Sequence, residues 1–230
     1  MSPTPAIEVD QLTHAYGART ALQEVTCTVP PGEIFGLLGP NGSGKTTLFR
    51  ILATLLSPTG GRARIFGDDV TQHPLAVRRR IGVVFQSPSL DGKLTAAENL
   101  RHQGHLYGLH GKELRHQVDE MLARINLADR RDERVEKLSG GLRRRLEIAK
   151  GLLHRPQLML LDEPSAGLDA GARRDLRVYL RQLRDLHGVT VFLTTHLMDE
   201  AESSDRLGIL DPGRLVGLGS PEALKKKIGG

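Results

Sequence analysis

Apolar positions along the chain follow two periods. Ile7-Glu8-Val9-Asp10-Gln11-Leu12 and Val25-Thr26-Cys27-Thr28-Val29 alternate with polar residues, the pattern of half-buried strands. His14-Ala15-Tyr16-Gly17 between them predicts a turn, and Pro30-Pro31-Gly32 a tight connection. Glu33-Ile34-Phe35-Gly36-Leu37-Leu38 predicts a buried strand, and Leu48, Ile51, Leu52 and Leu55 then recur at helical spacing. Arg62 to Phe66 with Gly67-Asp68-Asp69 predicts a strand and turn, completing a small antiparallel β-layer. Ile81 to Phe85 is a buried strand running into Gln86.

From about Thr95 to Leu153 the period is helical throughout, and Thr95 with Glu98 forms a capping box at the first helix. Leu158 to Leu161 is a short, fully apolar strand. Ala170 to His187 is an amphipathic helix closed by Gly188, and Val189 to Thr194 is another strand. Arg206 to Leu210 and Arg214 to Leu218 flank Asp211-Pro212-Gly213 as a hairpin, and a short helix starts at Pro221. The pattern predicts an α/β core with an inserted helical lobe. One domain is expected: core and β-layer at about 1–86 and 154–230, helical lobe at about 87–153. There is no internal repeat.

Composition narrows the setting. At 230 residues, 39% hydrophobic and 26% charged, the chain can bury a full core. Its apolar runs are too short for a membrane-spanning helix, and Met1-Ser2-Pro3-Thr4-Pro5 lacks the features of a signal peptide. Cys27 is the single cysteine, so no intrachain disulfide exists; a small buried hydrophobe in a reducing cytoplasm is expected. The net charge of +5 raises nucleic acid as a partner, but five Phe, three Tyr and no Trp leave little for base stacking. This argues against single-strand binding, and no nucleic-acid partner is expected. The triplets Arg78-Arg79-Arg80, Arg143-Arg144-Arg145 and Lys225-Lys226-Lys227 are read as solvated faces; such charge would also suit a protein held under an anionic membrane.

The candidate chemistry starts at Gly39-Pro40-Asn41-Gly42-Ser43-Gly44-Lys45-Thr46-Thr47, which matches G-x-x-x-x-G-K-[ST]. Glycines let successive N–H groups curl inward around phosphate oxygens, and the following helix adds its free N-terminal donors. Lys45 supplies a full charge to the β- and γ-phosphates, and the Thr46 hydroxyl can ligate Mg²⁺. An ordinary Gly-rich turn is the bland alternative; the order strand, loop, helix opposes it. Asp162-Glu163 follows an apolar strand, where Asp162 can hold Mg²⁺ through water and Glu163 can polarise an attacking water. His196 falls at the same sheet edge, although alone it would read as a surface histidine.

With Leu138-Ser139-Gly140-Gly141-Leu142-Arg143-Arg144-Arg145, the chain resembles the nucleotide-binding subunits of ATP-binding-cassette (ABC) transporters from Tyr16 to the hairpin. The resemblance implies a P-loop core with an antiparallel β-layer and helical lobe, and ATP and Mg²⁺ as cofactors. It implies that Tyr16 stacks on adenine, that Gly39 to Thr47 is the Walker A loop, and that Gln86 reaches Mg²⁺ and the water. Ser139, Gly140 and Gly141 match the signature motif that contacts ATP on the opposite subunit. Asp162 and Glu163 match Walker B, Asp169 ends the D-loop, and His196 matches the switch histidine. Ser139-Gly140-Gly141 also opens a helix and is itself an anion site, so a head-to-tail dimer of two copies would satisfy both phosphate-seeking surfaces.

Two positions depart from the family pattern: Leu142 stands for the usual Gln and Lys150 for the usual Arg. Gln86-Ser87-Pro88-Ser89-Leu90-Asp91, Leu94 to Leu100 and Arg143 to Ile148 resemble the daunorubicin-resistance-type ATPases of type-2 exporters. Several such ATPases continue well beyond position 230, so a carboxyl-terminal regulatory domain is expected to be absent or to have been removed. The resemblance implies an ATPase docked on a separate permease at the inner face of the cell membrane. A groove between Gln86 and Tyr107, with Leu90, Leu94, Leu100 and Leu106, is expected to hold the permease. A soluble ATP-gated clamp on nucleic acid or ribosomes is the alternative, and a non-catalytic scaffold a third.

Overall fold

The computed structural model describes residues 4–228. Met1 to Pro3, part of the stretch read for a signal peptide, lie outside the described residues, as does the side chain of Lys227. The order is β1 Ile7–Tyr16, β2 Arg19–Val29, β3 Ile34–Leu38, α1 Lys45–Leu52, β4 Gly60–Ile65, β5 Asp68–Asp69, α2 Pro74–Arg80 and β6 Ile81–Val84. The helical stretch follows as α3 Ala96–Leu106, α4 Gly111–Arg124 and α5 Gly140–Leu152. Then come β7 Leu158–Asp162, α6 Ala170–His187, β8 Thr190–Thr195, α7 Met198–Ala201, β9 Arg206–Asp211, β10 Arg214–Gly219 and α8 Pro221–Ile228.

Two sheets result. β2-β1-β4-β5 is antiparallel, whereas β10-β9-β3-β8-β7-β6 is parallel except for β10. The apolar runs explain the second sheet, because a parallel sheet is covered on both faces. Leu158 and Leu160 of β7 join Phe35, Leu37 and Phe192 in a core under α1 and the β-layer. Met159 and Leu161 point the other way, with Val191 and Leu193, into a core shared with α3 to α6. Parallel pairing places the carboxyl ends of β3, β6, β7 and β8 along one edge.

Several local expectations hold at the level of single bonds. The Thr95 hydroxyl accepts from the Glu98 N–H (3.2 Å) while the Glu98 carboxylate accepts from the Thr95 N–H (2.8 Å). Gly188 closes α6 at φ +63°. Cys27 is buried on β2, and burial pushes its thiol up to about 12. Three expectations are corrected. His14 to Tyr16 belong to β1, and the turn is taken by Gly17 and Ala18, so Tyr16 pairs with Arg19. α1 ends at Leu52 and Thr54 turns left-handed (φ +61°), leaving Leu55 exposed. The short α2 was not foreseen; with Val77 its sole buried residue, it has too little periodicity to read, although Pro74 opens it as proline often does.

Candidate nucleotide site

β3 delivers the chain into the loop at the sheet edge, and α1 begins at Lys45 with Gly44 as its cap at φ +105°. The loop is tied down on several sides. The Gly39 N–H donates to the Thr195 carbonyl (3.2 Å), and the Gly213 N–H of the β9–β10 turn donates to the Ser43 carbonyl (2.9 Å). No acidic residue lies in the first turn of α1, so its free N–H groups face the cleft without an internal anion. Lys45 is buried; its ammonium donates to the Gly39 (2.7 Å) and Pro40 (3.1 Å) carbonyls.

Opposite the loop, β7 ends in Asp162. Its Oδ1 accepts from the Thr194 hydroxyl at 2.5 Å, and the same hydroxyl accepts from the Glu163 N–H at 3.0 Å. Burial raises the Asp162 pKa above the ordinary carboxylate range, and the Thr194 hydrogen bond opposes that rise. Glu163 is left-handed at φ +45°, a conformation that costs a non-glycine residue about 1–3 kcal/mol and persists only where its surroundings impose it. Its carboxylate collects three groups: Lys45 Nζ at 3.7 Å, His196 Nδ1 at 3.3 Å, and the Gln86 amide, which donates at 3.4 Å.

Lys45, Gln86 and Glu163 line a cleft of about 420 Å³, within the usual size of a small-molecule site; Gly39, Pro40, Ser43, Asp162 and His196 are not among its walls. Asn41, Gly42, Gly44, Thr46, Thr47 and the half-exposed Tyr16 line it as well, the Tyr16 ring edge-packed on His14 (4.6 Å). Thr46, Gln86 and Asp162 offer the hard oxygen donors that Mg²⁺ prefers. Arg19 also lines this cleft and was missed in sequence; the β1–β2 register places it directly across from Tyr16.

Ser139, Gly140, Gly141 and Asp169 are not among the walls of this cleft. Within the chain, the Ser139 hydroxyl caps α5 by accepting from the Leu142 N–H (3.3 Å), and Asp169 caps α6 by accepting from the Ala172 N–H (2.8 Å). Their helices start side by side, bridged by Arg145 and Asp175 at 2.7 Å. Arg144 departs most from expectation. It is not on a solvated face but buried, its guanidinium bonded to main-chain carbonyls at the site's edge. The one hint was Glu147 at i+3, the spacing of a helical ion pair (2.8 Å).

The expected groove is also redrawn. Leu100 and Asn99 are buried in the lobe and Leu106 is 81% exposed. The cavity there, about 320 Å³, is walled instead by Phe85, Ser89, Gln103, Tyr107, Lys150 and His154 among others, with Tyr107 stacked on His154 at 3.8 Å.

A phosphate loop at the sheet edge, facing an Asp-Glu pair that ends a neighbouring strand, defines a P-loop nucleoside triphosphatase. The chain matches the ABC transporter family model over residues 22–166 and belongs to that family; it is an ATP-binding subunit and an ATPase. It is 44% identical over 228 residues to the daunorubicin/doxorubicin resistance ATP-binding protein DrrA of Streptomyces peucetius, covering 99% of this chain and 69% of that one. It is 40% identical over 223 residues to the Nod factor export ATP-binding protein I of Paraburkholderia xenovorans (strain LB400), covering 96% and 73%. Among solved structures, the dimeric post-hydrolysis state of the ATP-binding cassette MJ0796, bound to ADP and Pi, superposes with a TM-score of 0.82 at 28% identity. That match covers 94% of this chain and 98% of the other.

Proposed function

We propose that two copies of this chain close head to tail around two ATP molecules and thereby drive export through a separate membrane permease. The observation that carries this reading is the separation of the two anion-seeking helix starts. The loop before α1 builds the cleft, while Ser139-Gly140-Gly141 open α5 outside it, free to meet the triphosphate of a second copy.

In this reading Tyr16 stacks on adenine, and Gly39 to Thr47 wrap the phosphates with Lys45 at the β- and γ-oxygens. Thr46, Gln86 and Asp162 hold Mg²⁺, which neutralises charge on the phosphate oxygens. Glu163 polarises the attacking water, and His196, at its Oε2, registers the γ-phosphate. Ser139, Gly140, Gly141 and Asp169 complete the site of the partner copy. The helical lobe, about 87–153, swings at Gln86 against the core of about 1–86 and 154–230. The permease sits at the cavity walled by Phe85, Gln103 and Tyr107.

Export is supported by the names of the relatives. A peripheral place on the inner membrane face follows from docking on the permease in this reading; no helix among the described residues is long and apolar enough to cross a membrane. The test is Glu163→Gln. Turnover should fall by about 10²-fold or more, because water activation is lost while the phosphate loop is untouched. ATP should then trap a stable dimer in gel filtration; a fully active, monomeric variant refutes the assignment.

A further inference from the structure

Glu163 holds its left-handed main chain against a local preference, so something must impose it. On one side its N–H donates to both the carbonyl (3.1 Å) and the hydroxyl (3.0 Å) of Thr194. On the other side stands Arg144, from the second turn of α5. Its Nε donates to the Pro164 carbonyl (2.8 Å). Nη1 donates to the Phe85 carbonyl (2.9 Å) and to Glu147 Oε2 (2.8 Å). Nη2 donates to the carbonyls of Asp162 (3.2 Å) and Glu163 (3.5 Å). A guanidinium has five N–H donors in a fixed fork, and all five are used here. The three consecutive carbonyls that carry the Asp-Glu pair are thus gripped by one buried side chain. Its charge is matched by Glu147, which is buried as well.

The same helix face holds the segment containing Gln86 at both ends. Arg144 takes the carbonyl of Phe85. At the far end the Ser89 N–H donates to Glu147 Oε1 (2.7 Å), and the Lys150 ammonium donates to the Ser89 carbonyl (2.8 Å). Arg144, Glu147 and Lys150 are spaced i, i+3, i+6, so one stripe of α5 fixes the main chain beneath both Gln86 and Glu163.

We propose that Arg144 is a positioning residue for ATP hydrolysis: it locks the main chain of Glu163 so that the carboxylate faces Lys45, Gln86 and His196, and it ties that geometry to the helix opened by Ser139-Gly140-Gly141. The inference rests on the reading of Glu163 as the residue that polarises water. Movement of α5 is then passed directly to the water-activating carboxylate, through one side chain.

The test compares Arg144→Lys, which keeps the charge but has three donors instead of five, with Arg144→Gln/Glu147→Gln, which strands no buried charge. Both are measured with Glu163 intact and with Glu163→Gln, by thermal melting, ATP KM and single-turnover hydrolysis. The expected result is a folded protein with KM changed by less than about 3-fold. The hydrolysis rate should fall by about 10²-fold, the scale of a small misplacement of a reacting group. In the Glu163→Gln background the Arg144 substitutions should cost nothing further, since residues acting as a unit are non-additive. Losses that multiply in the two backgrounds, or an unchanged rate, would make Arg144 a structural brace only and overturn the proposal. Failure of both variants to fold overturns it too, because the residue would then serve folding. If Glu163→Gln alone keeps its turnover, the reading of Glu163 is at fault. If it loses turnover while the Arg144 variants keep theirs, only the inference falls.

Discussion

Around α1 the chain itself leaves no room for a side chain on Gly39 or Gly44, whereas at Gly140, the first residue of α5, the space is open, although Gly141 beside it is tight, with Ala172 Cβ 3.0 Å from where its own Cβ would lie. A Cβ on Gly44 would lie 2.4 Å from the Ala21 carbonyl oxygen, on a backbone at φ +105°; one on Gly39 would lie 2.3 Å from the Leu210 carbonyl oxygen. A Cβ on Gly140 would meet nothing closer than Leu168 Cδ2 at 3.8 Å, an ordinary contact. The first pair of glycines is demanded by the fold, since β2 and β9 press on the loop. Among the described residues nothing demands the glycine at 140. In the proposed dimer, a phosphate brought by a second copy is the kind of group that would need such an approach.

The sharpest test of this contrast pairs two identical substitutions. Gly44→Ala forces a clash with main-chain atoms and a strained φ, so ATP binding should fall by about 10²-fold or more and the melting temperature by several degrees. Gly140→Ala should leave melting unchanged or slightly raised, because alanine is the better helix former, and should leave nucleotide binding to the monomer intact. Equal loss of stability in the two variants would erase the distinction between the helix starts.

Gly140→Asp presses the second half of the comparison. It sets a negative charge at a helix start where a triphosphate is proposed to dock, so like-charge repulsion replaces attraction. ATP-driven dimerisation should disappear in gel filtration or light scattering, while melting and single-chain ATP affinity stay within about 3-fold of the parent. Undiminished dimerisation would sink the shared-site reading outright.

Legibility in the sequence followed the locality of the cause. α6 was readable from Ala170 to His187, because its apolar stripe and its Gly188 stop lie within the helix or next to it; its Asp169 cap came only with the structure. The strand before Asp162 was readable because burial on both faces writes four consecutive apolar residues. The lower part of the cleft was legible as motif residues. Arg144 was not, since the carbonyls that bury it lie 18 to 59 positions away, and a basic triplet carries no mark of them. The left-handed turn at Glu163 was equally hidden, because no glycine or asparagine announces it. Tyr16 was misplaced into a turn for a related reason. Strand pairing with β2 runs one residue short of Gly17, and pairing is a property of two segments.

The smallest effect belongs to Leu142, where the usual residue of the family pattern is Gln. Its side chain is half-buried against the core shared by the lobe and α6, and its N–H already donates to the Ser139 hydroxyl. The first-turn donors left for a partner's phosphate are therefore the main-chain N–H groups of Gly140 and Gly141, which the residue at 142 does not alter. Leu142→Gln would withdraw part of one leucine from apolar contact, costing about 1 kcal/mol. For a chain of this length that corresponds to a fall of about 2–4 °C in melting temperature. The new amide could add one neutral hydrogen bond across the dimer, worth about 0.5–1.5 kcal/mol, so the hydrolysis rate should change by no more than about tenfold. A rate change of about 10²-fold, with melting unmoved, would mean that the side chain and not the main chain of this helix start meets the phosphate. Leu142, and not Gly140, would then be the residue of this helix start on which a partner's triphosphate depends.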